Sequence, residues 1–302
     1  MRIGLVDIDS KIPNLALMKL SAYHKAKGDH VELTMPIFAE SFDLVYSSKV
    51  FTWTELPALP PNAVIGGTGY DLKIVLPEEV ENICPDYLLY PGMDYSLGFL
   101  TRGCIRKCPW CLVPEKEGKL RAAADIEDFL RHDKAILMDN NVLASDWGIK
   151  QIEKIARLGV RVDFNQGLDA RLIDDTVAKL LAKVKWLAPV RLACDTLEMI
   201  PDIQKAVEAL RWHNVTPRRY SCYVMVKDDL DDALQRIRFL KGLDVDPFVQ
   251  PYISQNGEQP PKIQKHLARW ADLKQIYNRC TWDEYLGDSK RDREQRKRSR
   301  EA

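Results

Sequence analysis

The chain opens with an apolar run, "RIGLVDID". An amphipathic stretch, "NLALMKLSAYHKAKG", follows and stops at a glycine suited to a helix C-terminus. "DHVELTM" reads as a second strand, and "FDLVYSSKVF" and "AVIGGTGYDL" supply two further apolar runs. Strand, helix, strand in this order predicts an open α/β sheet within residues 1–92. Gly66, Gly67 and Gly69 close the strand "NAVI". Such a turn either brings a ligand close to the backbone or meets a local need for positive φ.

From Leu97 the alternation becomes regular. Strands are predicted at "LGFLTRG", "AILMDNN", "RVDFNQG", "VRLACD", "YSCYVMV" and "PFVQPY". Helices separate them at Asp125–His132, Trp147–Leu158, Asp174–Val184, Pro201–His213 and Asp229–Leu240. These units recur roughly 26 to 38 residues apart, the length of a parallel βα repeat. They fall short of a closed eight-unit barrel. The pattern therefore predicts a partial TIM-type (β/α)6 barrel over 93–255, open on one side and suited to a large substrate. Residues 256–302 read as a C-terminal helical extension. In it, Leu267, Trp270, Leu273 and Tyr277 stand at helical spacing, as if to pack on the barrel. The last stretch, "DSKRDREQRKRSREA", is either a solvated tail or a weak nucleic-acid contact.

Composition narrows the classes. The 302 residues suit one large α/β domain or two smaller ones. Lys plus Arg and Asp plus Glu both total 44, so the molecule has no net field that seeks polyanions. No apolar run approaches the ~20 residues of a membrane helix. "MRIGLVDIDS" lacks the basic region and apolar core of a signal peptide. A cytoplasmic protein with no membrane partner is expected. The seven cysteines are scattered except for one triplet, which fits reduced thiols plus a metal site.

The triplet lies in "TRGCIRKCPWC" and comprises Cys104, Cys108 and Cys111. Three thiolates so spaced can hold three corners of a [4Fe–4S] cluster, because sulfides complete each iron's tetrahedron. The fourth iron keeps an open position, which a catalytic metal needs. A structural zinc site needs a fourth ligand, and the nearest histidine, His132, lies far along the chain.

This spacing, the aromatic Trp110 before the third cysteine and the place just after the first strand of the repeats are similar to those of the radical S-adenosylmethionine (SAM) enzymes. The resemblance covers about residues 93–255. It implies that the amino and carboxylate groups of SAM chelate the open iron. One electron, from a donor such as flavodoxin or ferredoxin, then cleaves the sulfonium. The resulting 5′-deoxyadenosyl radical abstracts hydrogen from substrate.

The resemblance also assigns candidate residues. Asp139, Asn140 and Asn141 end the second strand and match by position the family's "GGE" site for the SAM amino group; a polar turn or helix cap is the alternative. On the third strand, Asp163 and Asn165 share a face. Parallel strands are normally apolar on both faces, so such residues call for partners, a polar ligand among them. Gln166 and Arg171 are placed to reach the SAM carboxylate or the substrate, unless Arg171 forms an internal salt bridge. Asp195, on one face with Arg191 and Ala193, matches the ribose-binding position or else caps the next helix. "YVMV" matches the adenine-contacting strand, and Gln250 and Tyr252 are candidate substrate contacts.

The first 92 residues resemble a corrinoid-binding, Rossmann-like module. The Asp-x-His-x-x-Gly motif is missing, and His24 and His30 stand in no such context. Either the module is degenerate or a corrinoid binds without a histidine; cobalamin is not expected. Methylthiotransferases carry three more cysteines in this region, where the present chain has only Cys84. The expected function is that of a radical SAM enzyme on an unknown substrate, with a macromolecule favoured. The alternatives are a non-catalytic iron–sulfur binding or regulatory protein and a cobalamin-dependent radical methyltransferase.

Overall fold

A computed structural model describes residues 1–215 and 219–287. The basic tail from Asp288 lies outside the described residues. The fold is mixed α/β with parallel sheets.

The first sheet holds β1 (Arg2–Asp7), β2 (His30–Leu33), β3 (Leu44–Ser48) and β4 (Ala63–Gly66), all parallel, in the order β2-β1-β3-β4. Helix α1 (Leu15–Ala26) starts where the Asn14 side chain accepts from Leu17 N, and it buries Leu17 and Met18 beneath β1. Gly67 has φ +99°, and a Cβ there would stand 2.2 Å from Lys49 O. The glycine turn thus seats the loop after β4 on the loop after β3. That is a packing requirement of the chain itself.

After α2 (Glu78–Glu81), strands and helices alternate: β5 (Ser96–Gly98), β6 (Thr101–Arg102), α3 (Val113–Lys116), β7 (Arg121–Ala122), α4 (Ile126–Phe129), β8 (Lys134–Leu137), α5 (Asp146–Leu158), β9 (Arg161–Phe164) and α6 (Asp175–Leu181). Then come β10 (Lys185–Trp186), β11 (Val190–Ala193), α7 (Ile200–Trp212), β12 (Tyr220–Val226), α8 (Leu230–Gly242) and β13 (Asp246–Pro251). One parallel sheet runs β10-β9-β8-β5 and another β11-β12-β13. They meet where Asp163 of β9 pairs with Arg191 of β11, and where Leu168 N donates to Arg191 O at 2.7 Å.

The structure departs from the sequence pattern most clearly at the following places. "LGFLTRG" is two strands: β6 leaves the sheet and pairs antiparallel with β7, because the Asp139 carboxylate takes the Leu100 and Thr101 N–H groups. The helix expected over Asp125–His132 shrinks to α4, a single turn closed by a capping box of Asp125 and Asp128. The C-terminal helix breaks at Leu273, with ψ 93°, into α9 (Lys262–Asp272) and α10 (Lys274–Tyr277). The break lets Asp272 accept from Val249 N of β13 and lets Lys274 pair with Asp246. The extension packs along β13 and covers its edge.

The larger core lies between the sheets and their helices, where Leu137, Val162, Leu192 and Val224 meet Ile152, Leu181, Val207 and Ile237. A second core joins Ile3, Leu5, Leu17 and Met18 to Leu97, with Phe99, Ile136 and Met138 packed on it. The first sheet and α1 thus seal the face that Ile136 presents. By register, Asp163, Arg191 and Ser221 share that face, and Tyr223 and Phe248 continue it on β12 and β13. There the surface is open: Phe248 and Gln250 are exposed and Tyr223 and Met225 half-buried, while the alternate Cys222, Val224 and Val249 are buried. Among the described residues, no helix is long and apolar enough to cross a membrane.

Candidate metal centre at the cysteine loop

The pairing of β6 with β7 draws the ends of the cysteine loop together. Gly103, at φ +83°, starts the loop, and a Cβ there would meet Lys119 O at 2.4 Å. Three carboxylates hold it. Asp139 accepts from Leu100 N at 3.1 Å and from Thr101 Oγ1 at 2.7 Å. Burial pushes its carboxyl up to about 6, against the pull of these donors. Glu117 accepts from Gly103 N at 2.7 Å, from Arg102 Nη1 at 2.9 Å and from Asn140 Nδ2 at 2.9 Å. Asp169 accepts from Arg106 Nε at 2.8 Å and from Arg171 Nε at 2.7 Å. Burial opposes ionisation of Asp169, yet Arg171 and Arg106 hold its carboxyl below the usual range.

All three cysteines of the triplet are half-buried and free of disulfides. Cys104 Sγ accepts from Arg106 N at 3.3 Å and from Asn141 Nδ2 at 3.5 Å. Cys111 N donates to Cys108 O at 3.0 Å. Burial raises the Cys108 and Cys111 thiols; the charge of Arg171 favours the Cys108 thiolate, and Asp195 opposes both. Lys227 Nζ lies 5.8 Å from the centre of the Trp110 ring and 5.4 Å from that of Tyr252.

Asn141 is buried, and its Nδ2 also donates to Asp169 Oδ2 at 3.1 Å. Its Oδ1 is buried and has no hydrogen-bond partner. An orphaned acceptor beside a thiol marks a place where a donor is expected to bind. Among the described residues, no three His, Cys, Asp or Glu side chains gather closely enough to hold one metal ion. A [4Fe–4S] cluster spreads its three thiolates over three irons and needs no such convergence. The donor set is thus compatible with such a cluster: three free thiols on one loop, with the buried unpartnered Asn141 Oδ1 beside Cys104.

The sequence candidates divide by environment. Arg171 forms the internal salt bridge with Asp169 while also lying in the field of Cys108. Asp195 accepts from Met225 N at 3.0 Å, and burial raises its carboxyl. Asn140 turns to Glu117, and Asp139 to the backbone. Asn165 is half-buried, with its carbonyl accepting from Tyr223 Oη at 2.7 Å, and Gln166 is exposed at the same strand end. The sequence reading missed Asp169 and Glu117; both lie on loops, where no periodicity marks a residue as inward. Burial pushes the Cys194 thiol up to about 12 and raises Cys222, the pattern of inert buried thiols. His24 is buried on α1, its ring bonded to Asp29 at 2.7 Å and to Tyr46 Oη at 3.1 Å.

Neither a family model nor a curated protein matches the sequence. Among solved structures, Streptococcus suis SuiB bound to precursor peptide SuiA is similar, with a TM-score of 0.41 and 15% sequence identity. The similarity covers 67% of the present chain and 47% of SuiB, so the chain spans about half the length of that structure.

Proposed function

We propose that the chain is a radical SAM enzyme, with Cys104, Cys108 and Cys111 as the ligands of a [4Fe–4S] cluster. The observation that carries the reading is the stapled three-cysteine loop lying beside an acceptor, Asn141 Oδ1, that is buried and unpartnered. In this reading the two later parallel sheets form an open (β/α)6 barrel, and the first sheet forms a Rossmann-like unit. When bound, the cluster and SAM supply one-electron cleavage of a sulfonium and hydrogen abstraction from substrate.

The chain's own residues bind and orient. Asn141 Oδ1 accepts from the SAM ammonium. Arg171, held by Asp169, faces the carboxylate. Asp195, anchored to Met225 N, accepts from the ribose. Asn165 and Gln166 stand at the third strand end as further polar contacts, while Asp139 and Asn140 hold the loop. The open face of Tyr223, Phe248 and Gln250 receives the substrate, and its breadth favours a macromolecule. A flavodoxin or ferredoxin supplies the electron. No cobalamin is invoked: His24 is bonded to Asp29 and Tyr46 and does not stand as a free cobalt ligand.

Anaerobic reconstitution tests the assignment. Wild-type chain should hold about four irons and four sulfides and turn brown. Replacing all three cysteines by alanine should abolish both. A full cluster in that variant refutes the ligand assignment.

A further inference from the structure

Asn141 presents an amide to the cysteine loop, and an amide can face either way round. Two acceptors decide the matter. Asp169 Oδ2 lies 3.1 Å from Asn141 Nδ2, and Cys104 Sγ lies 3.5 Å from the same nitrogen. A carboxylate paired with two guanidinium groups is ionised and only accepts. The NH2 end of Asn141 must therefore face Asp169, which leaves Oδ1 as the unpartnered atom. Asp169 is in turn fixed by Arg106, which lies inside the cysteine loop, and by Arg171.

We infer that Asp169 is the positioning residue of this site. By taking one N–H of Asn141, it aims Oδ1 at an incoming ammonium and aims the other N–H at Cys104 Sγ. The inference rests on the radical SAM reading and deepens it. Two consequences follow from one amide. The acceptor end contributes to SAM affinity. The donor end stabilises negative charge on the Cys104 sulfur, and hydrogen bonds to ligand sulfurs raise a cluster's reduction potential. Occupation of Oδ1 by a cation polarises the amide and strengthens its N–H bond to sulfur, so ligand binding and cluster potential are coupled.

The test uses full-length chain reconstituted with iron and sulfide. Three quantities are read: iron content, the SAM dissociation constant, and the cluster's midpoint potential from EPR-monitored redox titration without SAM. Asp169→Asn should keep its iron, bind SAM about tenfold more weakly and show a lower potential, because the amide is no longer held one way round. The exchange variant, Asp169→Asn with Asn141→Asp, restores an acceptor facing the SAM ammonium but no donor to Cys104. It should recover SAM affinity while keeping the lowered potential. A purely structural role for Asp169 would not separate these two readouts.

If Asp169→Asn loses iron, Asn141→Ala serves instead, since it leaves both guanidinium pairs of Asp169 in place. It should keep its iron, bind SAM weakly and show the lowered potential. Wild-type chain that takes up no cluster or no SAM overturns the underlying reading and this inference with it. Wild-type chain that binds both, with Asp169→Asn (or Asn141→Ala where that variant serves) unchanged in affinity and potential, overturns the inference alone.

Discussion

Asp195 Oδ1 accepts the backbone N–H of Met225 at 3.0 Å, a bond from the end of one strand to its parallel neighbour. The following helical turn is capped by Thr196 without a side-chain bond, and α7 by Met199. Asp195 is therefore no helix cap, and its charge is felt at Cys108 and Cys111, whose thiols it helps to raise. Replacing it by alanine should weaken SAM binding by about ten- to a hundredfold, or roughly 1.5–3 kcal/mol. Iron content should not change. Equilibrium dialysis with labelled SAM checks this, and unchanged affinity would remove Asp195 from the site.

The Asp272 carboxyl gives a pH dependence with a definite sign. Burial pushes it up to about 6, with Val249 N as a partner. A carboxyl whose folded pKa is raised stabilises the fold fully below the unfolded value near 3.8. That contribution is lost as pH rises through about 6. Asp272→Asn keeps an acceptor for Val249 N and cannot ionise. At pH 7 it should be more stable than wild type by about 1–2 kcal/mol. The difference should vanish below pH ~4. Urea denaturation at both pH values reads it, and equal stability at pH 7 would contradict the buried-carboxylate account.

Gly67→Ala separates packing from ligand binding in the glycine turn. With φ +99° and Lys49 O 2.2 Å from the added Cβ, the variant must distort the loop after β4. A loss of roughly 2–4 kcal/mol is expected from combined strain and clash. Thermal unfolding should register it, while SAM affinity per folded molecule stays at the wild-type value. A turn built for a ligand would give the reverse pattern.

Much of this architecture was legible in the chain. Strands β1, β2, β11, β12 and β13 and the longer helices α5, α7 and α8 lie within about two residues of where periodicity put them, whereas "AILMDNN", "RVDFNQG" and "AVIGGTGYDL" run three to six residues past the ends of β8, β9 and β4. The cysteine spacing singled out the loop without any structure. What periodicity could not reach was side-chain traffic between loops. Asp139, Asn140 and Asn141 are adjacent in sequence and similar in polarity, yet one binds backbone, one binds Glu117 and one keeps a free acceptor. Only packing against Thr101, Glu117 and Asp169 distinguishes them. The strand break after Gly98 was hidden for the same reason, because its cause, the Asp139 carboxylate, lies some forty residues downstream.

Cleavage of SAM is the central claim, and 5′-deoxyadenosine is its most direct readout. Reconstituted full-length chain is incubated anaerobically with dithionite and SAM, and the nucleoside is quantified by liquid chromatography and mass spectrometry. The account predicts 5′-deoxyadenosine from wild-type chain and none from the variant with Cys104, Cys108 and Cys111 replaced by alanine. A wild-type chain that holds its cluster and binds SAM but yields no 5′-deoxyadenosine would contradict it and mark the protein as a non-catalytic iron–sulfur protein.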